Sequence, residues 1–460
     1  MINRKIKPSP LGKIKFSLPG INEFTQKNGL KILFVKKDNL PLVQFLLLCN
    51  AGSIFDPEGK IGLSNLTAMT LDEGADEYDA LQLSDEIDML GSHLSIRSGE
   101  DNIIISLQTL KENSDRSFEL LGKIITQPHF KEEDFQREKR KVLTAILQRK
   151  DNPDEVAEHI FEYNLYGNES PYSNLFLGKE KDINSITAED AKNFYNKLLT
   201  AGNSALIVVG DTSKQEIDKL IDKYLSNWKT QVPDINKIPE PQRKGSCIVF
   251  CNKENAMQSE IRIGHLASKR NEGNYFAKLL LNTVLGGQFT SRINLNLREN
   301  KGYTYGAFSR FNYYKHQAHF YVSTSVSTEN TGNAIREILS ELKRIGEGVT
   351  DDELEFAKSS LIRKFPSNFE TYSQVAGNLT GKVIFSLPED YFNTYIDNLR
   401  AVTKDDVNEA AANEIFSEET LIAVVGDKSK VREQLNEFPN SVFIEVDSEG
   451  RVGEEGKMRL

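Results

Sequence analysis

Alternating and helical hydrophobic patterns divide the chain into strands and helices whose order occurs twice. A strand pair at 31–37 and 42–50 returns as 247–252 and 258–265. In each half a helix follows, then two alternating strands, several helices and a last apolar strand. These later elements are predicted at helices 61–74 and 270–285, strands 92–98, 102–109, 304–311 and 317–325, helices 112–126, 132–149, 153–165, 329–345, 351–364 and 368–380, and final helices near 188–199 and 404–413. This order predicts an α+β fold, with helices packed on one face of a mainly antiparallel sheet.

Three short matches at one spacing indicate an internal duplication. ALIVVGD at 205–211 returns as LIAVVGD at 421–427, so that Val424 lies 216 positions after Val208. The segments ITAEDAKNFY and VTKDDVNEAA keep the same offset, as do KILFVKKDN and CIVFCNKEN. Three matches at one offset predict a repeated unit of about two hundred residues and hence two like-folded domains.

The repeat and the composition of its flanks predict the domain limits. We expect an N-terminal arm at 1–20, a first domain at 21–230, a proline-bearing and charged linker at 231–246, a second domain at 247–445 and a tail at 446–460. The acidic tail is expected to be a frayed terminus.

Composition excludes several classes of protein. Hydrophobic residues make up 38% and charged residues 27% of the chain, and no apolar run approaches the roughly 18 residues of a membrane span. A net charge of −10 argues against a nucleic-acid partner. Three cysteines are too few for a disulfide framework and fit a reducing compartment. Without a secretory signal, we expect a cytoplasmic location, and a trimmed precursor stays open.

The second half carries the motif LGGQFTSRINLNLRENKGYTYGAFS at 285–309, and NGLKILFV at 28–35, AGS at 51–53 and the two VVGD strands accompany it. Together these segments resemble the insulinase/pitrilysin-type metallopeptidases, the inverzincin class that includes mitochondrial processing peptidase. The resemblance covers almost the whole chain. It implies two homologous domains that form a clam-like half-chamber.

The family places an inverted zinc motif, H-x-x-E-H, on the first long helix of the catalytic domain. Histidines at i and i+4 share one helix face and reach one zinc, and the glutamate acts as general base. On GLSNLTAMTLDEG the resemblance puts Asn65 and Met69 at the histidine positions, Ala68 at the glutamate and Ala145 at the third ligand. None of these four side chains supplies the usual ligand or base, so we expect no zinc in this chain and zinc only in a partner subunit.

The resemblance assigns two residues of the second half, Arg298 and Tyr305, to the far side of a partner's zinc site. There the tyrosine would donate to the oxyanion and the arginine would anchor a carbonyl or carboxylate. Without the resemblance, Arg298 beside Glu299 is an ordinary charged helix residue and Tyr305 an ordinary strand aromatic. A pair of glycines, Gly286 and Gly287, is a weaker candidate for substrate contact, because such a pair usually ends a helix.

Three functions remain open from the sequence. The leading hypothesis is a catalytically incomplete, zinc-free subunit that pairs with a homologous zinc-bearing chain, closes a chamber for extended peptides and supplies Arg298 and Tyr305. The alternative is a structural or assembly protein of the same fold with no role in proteolysis. An autonomous peptidase with a relocated metal is the third, and it is disfavoured because the usual ligands are absent.

Overall fold

A computed structural model describes residues 14–233, 238–241, 245–438 and 442–459. Its strands are β1 (Asn22–Thr25), β2 (Lys31–Lys36), β3 (Leu42–Cys49), β4 (Gly74–Ala75), β5 (Tyr78–Asp79), β6 (His93–Ser98), β7 (Ile103–Leu110), β8 (Ser204–Gly210), β9 (Cys247–Asn252), β10 (Gln258–Leu266), β11 (Ala307–Tyr313), β12 (Ala318–Ser327), β13 (Leu421–Gly426), β14 (Val442–Val446) and β15 (Val452–Arg459).

The helices connect these strands in groups. They are α1 (Leu63–Thr70), α2 (Ala80–Met89), α3 (Ser114–Thr126), α4 (Glu132–Asp151), α5 (Pro153–Tyr166), α6 (Glu180–Ser185), α7 (Ala188–Leu198), α8 (Lys214–Tyr224), α9 (Tyr275–Leu285), α10 (Arg292–Asn294), α11 (Thr331–Arg344), α12 (Asp351–Lys364), α13 (Tyr372–Ile384), α14 (Tyr391–Ala401), α15 (Lys404–Glu414) and α16 (Lys428–Leu435). We call the residues before the linker the first half and those after it the second half.

Each half builds one large sheet, and the two sheets share a strand order. The first sheet runs β1-β2-β8-β3-β7-β6. The second runs β11-β12-β10-β13-β9-β14-β15. In reverse, β9-β13-β10-β12-β11 follows the order β2-β8-β3-β7-β6, while β14 and β15 occupy the edge that β1 occupies in the first sheet. Most neighbours are antiparallel, whereas β2 with β8, β13 with β9 and β14 with β9 are parallel. The predicted α+β architecture is confirmed.

The central strands are apolar on both faces, so both faces of each sheet need a cover. In β2, Ile32 and Phe34 face the helices of the first half, while Leu33 and Val35 face the opposite way. All four side chains are buried. Because successive side chains of a strand point to opposite faces, such a strand lies between two layers.

The second cover of each sheet comes from the other half. Helix α13 of the second half packs on β3 and β8, and its Leu379 and Val375 belong to the same buried cluster as Leu33 of the first sheet. Helix α5 of the first half packs on β10 and β13, where Ile160 meets Val425 of the second sheet. We call α5 and α13 the exchanged helices. The sequence predicted helices on one face only, and the exchange accounts for the difference.

The next comparison concerns the tail, the N-terminal arm and the linker that the sequence predicted. The tail was expected to fray, and this expectation is wrong, because β14 pairs with β9 and β15 pairs with β14. Phe16 of the predicted N-terminal arm packs its ring on Phe365 and Phe369. Residues 1–13 of the arm and 234–237 and 242–244 of the linker lie outside the described residues.

The length and apolar character of the helices bear on whether one of them could span a membrane. Within the described ranges, no helix combines the length and the apolar character that crossing a bilayer requires.

Candidate functional site

The four positions that match the family's metal motif lie on two helices that pack together. Asn65 and Ala68 of α1 are buried, and Met69 is half-buried against the core of the first half. Helix α4 packs against α1 and carries the half-buried Ala145. The structure therefore places the four positions on neighbouring helices.

The side chains at these positions do not fit a zinc ion. Ala68 and Ala145 have no donor atom, and the thioether of Met69 suits softer metals. The amide nitrogen of Asn65 is buried without a hydrogen-bond partner, and it cannot act as a metal ligand because its lone pair is delocalised into the carbonyl group. The neutral amide oxygen is a weak zinc ligand. Across the described residues, no group of three or more histidine, cysteine or acidic side chains is arranged to hold a metal.

An acidic cluster lies just beyond α1 and contacts α4. Burial and the adjacent Glu138 together raise the pKa of the Glu73 carboxyl to about 7. Arg137 donates to Glu73 and to Asp134, and Lys141 lies 2.7 Å from Glu138. These carboxylates are thus engaged by cations. The sequence analysis missed this cluster, although the acidic pair in LDEG was its signal.

Arg298 and Tyr305 lie at the surface close to the start of β11. Arg298 sits in a π-helical turn, Leu295–Asn300, that continues α10. Its guanidinium carbon is 4.1 Å from the ring centre of Phe289, and Nη1 is 2.9 Å from Glu299 Oε1. The Tyr305 side chain is 94% exposed and its hydroxyl makes no hydrogen bond within the described ranges.

Two polar side chains, the buried Asn294 and the half-buried Thr304, fix the segment that presents this pair. Asn294 Nδ2 donates to the carbonyl of Phe289, and its Oδ1 accepts from Ala307 N at 3.0 Å. The Thr304 hydroxyl donates to Ser325 O at 2.7 Å and accepts from Gly306 N at 3.0 Å. Sequence reasoning missed both residues, since a lone Asn or Thr carries no signal of its own.

Gly286 and Gly287 allow α9 to end against β11. The Gly286 carbonyl accepts from Ser309 N at 3.0 Å, and a Cβ on Gly286 would lie only 2.7 Å from that nitrogen. A Cβ on Gly287 would lie 2.9 Å from Asn282 O. Both glycines thus have a packing reason, and substrate contact by them stays a prediction.

Strand β6 forms an open edge of the first sheet beside α1. It pairs with β7 on one side, and within the described residues no strand pairs with its other side. The corresponding edge strand of the second half, β11, is partly closed, because Ala307 N and Ser309 N already bind Asn294 and Gly286. The edge of β6 is therefore the longer free row of backbone donors and acceptors.

Comparison with models of protein families shows the family to which this chain belongs. Residues 31–175 match the model of the insulinase family, peptidase family M16, and residues 185–361 match that of the peptidase M16 inactive domain. The chain belongs to the M16 peptidase family. The resemblance stated from the sequence motifs is confirmed.

Curated M16 relatives match nearly end to end. A Rickettsia felis protein named an uncharacterized zinc protease is 26% identical, covering 87% of this chain and 96% of its own. A Helicobacter pylori protein named non-peptidase homolog YmxG is 25% identical, covering 88% and 94%. The beta subunit of the yeast mitochondrial-processing peptidase is 22% identical, covering 95% and 96%.

Solved structures of M16 proteins share the fold. A peptidase M16 inactive domain from Pseudomonas fluorescens superposes with a TM-score of 0.83 at 24% identity, covering 88% of this chain and 98% of that one. A protease from Helicobacter pylori gives a TM-score of 0.79 at 21% identity, covering 89% and 100%.

Proposed function

We propose that this M16 protein is a catalytically incomplete, zinc-free subunit of a heterodimeric processing-type peptidase. It would pair with a homologous zinc-bearing chain, close a chamber for extended peptides and supply Arg298 and Tyr305 to the partner's zinc site. The observation that carries the proposal is an asymmetry between the halves. The metal positions of the first half hold no usual zinc ligand, whereas the second half carries both members of the Arg/Tyr pair, with Tyr305 exposed and Arg298 half-buried.

The chemistry of the pair supports this role. A tyrosine that is 94% exposed contributes little to the core, and its hydroxyl stays available as a donor. A hydroxyl fixed beside a scissile carbonyl stabilises the negative charge that develops in the transition state. The Arg298 guanidinium lies over Phe289, which restricts its orientation, and a guanidinium can bind a carbonyl or carboxylate with two nitrogens.

The open edge of β6 supports an extended peptide as the ligand. An extended chain that pairs with this edge would gain backbone hydrogen bonds along six residues, His93 to Ser98. Backbone pairing is indifferent to side chains, so peptides of varied sequence would bind. Helix α1 lies beside the edge, and it would hold the peptide without a metal to cleave it.

The relatives' names agree with the proposal. One M16 relative is named a non-peptidase homolog, and another is named a subunit of a processing peptidase. We also propose that the halves derive from a duplication, with units at 21–230 and 247–445, and the shared strand order supports this.

The first experiment measures peptide cleavage and zinc together. The purified chain is assayed alone and then mixed with the zinc-bearing homologue that co-purifies with it, with zinc quantified in every sample. We expect activity and zinc only in the mixture. If no zinc-bearing partner is found and no sample is active, the structural or assembly role replaces the proposal.

Variants of the pair test the assignment of residues. We expect Tyr305→Phe to lower kcat of the mixed enzyme by about 100-fold, the usual effect of removing one oxyanion donor. Tyr303→Phe is the matched control, because the ring of Tyr303 packs on the core of the second half two positions away. Undiminished cleavage by a mixture containing Tyr305→Phe would show that the pair has no catalytic part.

A further inference from the structure

The turn between β11 and β12 reaches out of the second half and into the first. We call Tyr314–Gln317 the hairpin tip. The Tyr314 ring stacks on Tyr172, with ring centres 4.9 Å apart and planes 22° from parallel. The Lys315 backbone N–H donates to Asp101 Oδ2 at 2.8 Å, and Lys315 Nζ donates to Asn50 Oδ1 at 3.2 Å. The tip is thus fastened to the first half by backbone, side-chain and ring contacts.

The last residue of the tip contacts the linker as well. Gln317 is 3% exposed, and its Nε2 donates to the carbonyl of Pro239 at 2.9 Å. Its Oε1 accepts from the hydroxyl of Ser170 at 3.2 Å. The first half, the linker and the second half therefore meet at the hairpin tip.

One carboxyl of an exchanged helix lies beneath the tip. The Tyr314 hydroxyl donates to Glu162 Oε1 of α5 at 2.8 Å. Burial raises the pKa of this carboxyl to about 8, although 21% of the side-chain surface stays exposed. His319 Nε2 is 3.8 Å from the same oxygen, and burial lowers the pKa of His319 to about 3. The histidine is therefore neutral above pH 4 and does not balance an ionised Glu162.

Two neighbouring carboxyls, Glu158 and Glu100, oppose ionisation of Glu162. Burial raises the pKa of Glu100 as well. Arg310 favours the ionised form, but its side chain is 62% exposed and lies 3.8 Å from Glu158. The titratable and charged groups that face Glu162 are Glu158 and Tyr166 of α5, Glu100 of the loop after β6, Arg310 of β11, Tyr314 of the hairpin tip and His319 of β12.

We propose that the hairpin tip and Glu162 form a proton-dependent latch between the two halves, closed while the Glu162 carboxyl holds its proton and loosened when that carboxyl ionises. An ionised Glu162 faces Glu158 and Glu100 at the contact between α5 and β12, and hydration relieves this repulsion only if the tip moves away. The latch is a property of the fold and does not depend on the proposed companion-subunit function.

The direction of the pH effect follows from the two states. In the closed state Glu162 has the raised pKa of about 8, and in an open, hydrated state it takes the ordinary value near 4.5. Between these values the closed state holds a proton that the open state lacks. Opening therefore becomes more favourable by up to about tenfold per pH unit and levels off above about pH 8. From pH 6.5 to 8.5 we expect the opening equilibrium to rise about twentyfold.

Hydrogen exchange measures the latch directly. Protection factors of the Tyr314–His319 amides, corrected for the intrinsic pH dependence of exchange, are compared between pH 6.5 and 8.5 by mass spectrometry. We expect them to fall about twentyfold in the unmodified chain. In Glu162→Gln, whose amide oxygen still accepts from Tyr314, we expect no fall.

Two further variants make the test decisive. Glu73→Gln removes a carboxyl whose pKa is similarly raised but which lies at the contact of α1 and α4. In this variant the protection of the tip amides should therefore fall about twentyfold, as in the unmodified chain. Tyr314→Phe removes the hydroxyl that contacts Glu162, so protection should be lower at both pH values while the fall persists. Constant protection in the unmodified chain, or an equal fall in Glu162→Gln, would overturn the proposal.

Discussion

The exchanged helix α13 should stabilise the first half although it belongs to the second. Leu379 of α13 is 0% exposed and lies in the cluster formed with the first sheet. Leu379→Ala removes three carbon groups, which costs about 2.4 kcal/mol at roughly 0.8 kcal/mol for each. The cavity that remains adds to this value, so we expect a total loss of about 3 kcal/mol.

The single tryptophan provides a probe confined to the first half. Trp228 is 4% exposed, and its Nε1 donates to Leu199 O at 3.0 Å. Urea unfolding followed by tryptophan fluorescence therefore reports the first half. With a urea dependence of about 2–3 kcal/mol per molar, Leu379→Ala should lower the fluorescence midpoint by about 1–1.5 M.

The control makes the same chemical change within the first half itself. Leu147 of α4 is 58% exposed, so Leu147→Ala should move the midpoint very little. A Trp228 transition that is unchanged in Leu379→Ala, while far-UV circular dichroism shows a destabilised second half, would refute the reasoning. The first sheet would then be stable without its cover from α13.

Two further predictions concern stability. Gly286→Ala should destabilise the chain by about 1–3 kcal/mol in urea unfolding, because its Cβ meets the backbone of β11. Gly377→Ala, in α13 with nothing within 4 Å of a Cβ, should instead stabilise by about 0.5–1 kcal/mol, and equal effects of the two would contradict this. The pKa of Glu353 is held at about 2, chiefly by hydrogen bonds from Arg292, so its contribution is present above pH 4.5 and is lost as pH falls towards 2. Acid titration of Glu353→Gln should therefore show a shallower loss of stability, whereas Glu355→Gln, 75% exposed on the same helix, should match the unmodified chain.

The strongly periodic elements could be predicted from the sequence. Helix α12 was predicted at 351–364 and β9 at 247–252, and both have these bounds. Helix α2 was missed because only Leu83 and Ile87 of its ten residues are buried, which leaves a weak pattern. Strands β14 and β15 were missed because their pairing depends on the edge of β9 rather than on their own sequence.

The exchange and the latch could not be predicted from local patterns. The amphipathic pattern of α5 is the same whichever sheet the helix covers, so nothing in it assigns a partner. Tyr314 and Glu162 lie 152 positions apart and meet only through the fold. The family motif supplied a frame for the four positions of the degenerate metal motif, and their assignment stays a prediction, while the Glu73 cluster beside them has no such frame.

The exchanged helices also constrain how the protein is synthesised. The first sheet is complete once Gly210 has been made, but α13 begins only at Tyr372. At 5–20 residues per second the ribosome needs roughly 10–30 s to reach it. Throughout that interval the face of the first sheet bearing Leu33, Val35 and Leu46 lacks its cover from α13. The nascent chain should therefore bind chaperones that hold apolar strands, and products of early termination should aggregate rather than accumulate as a folded first half.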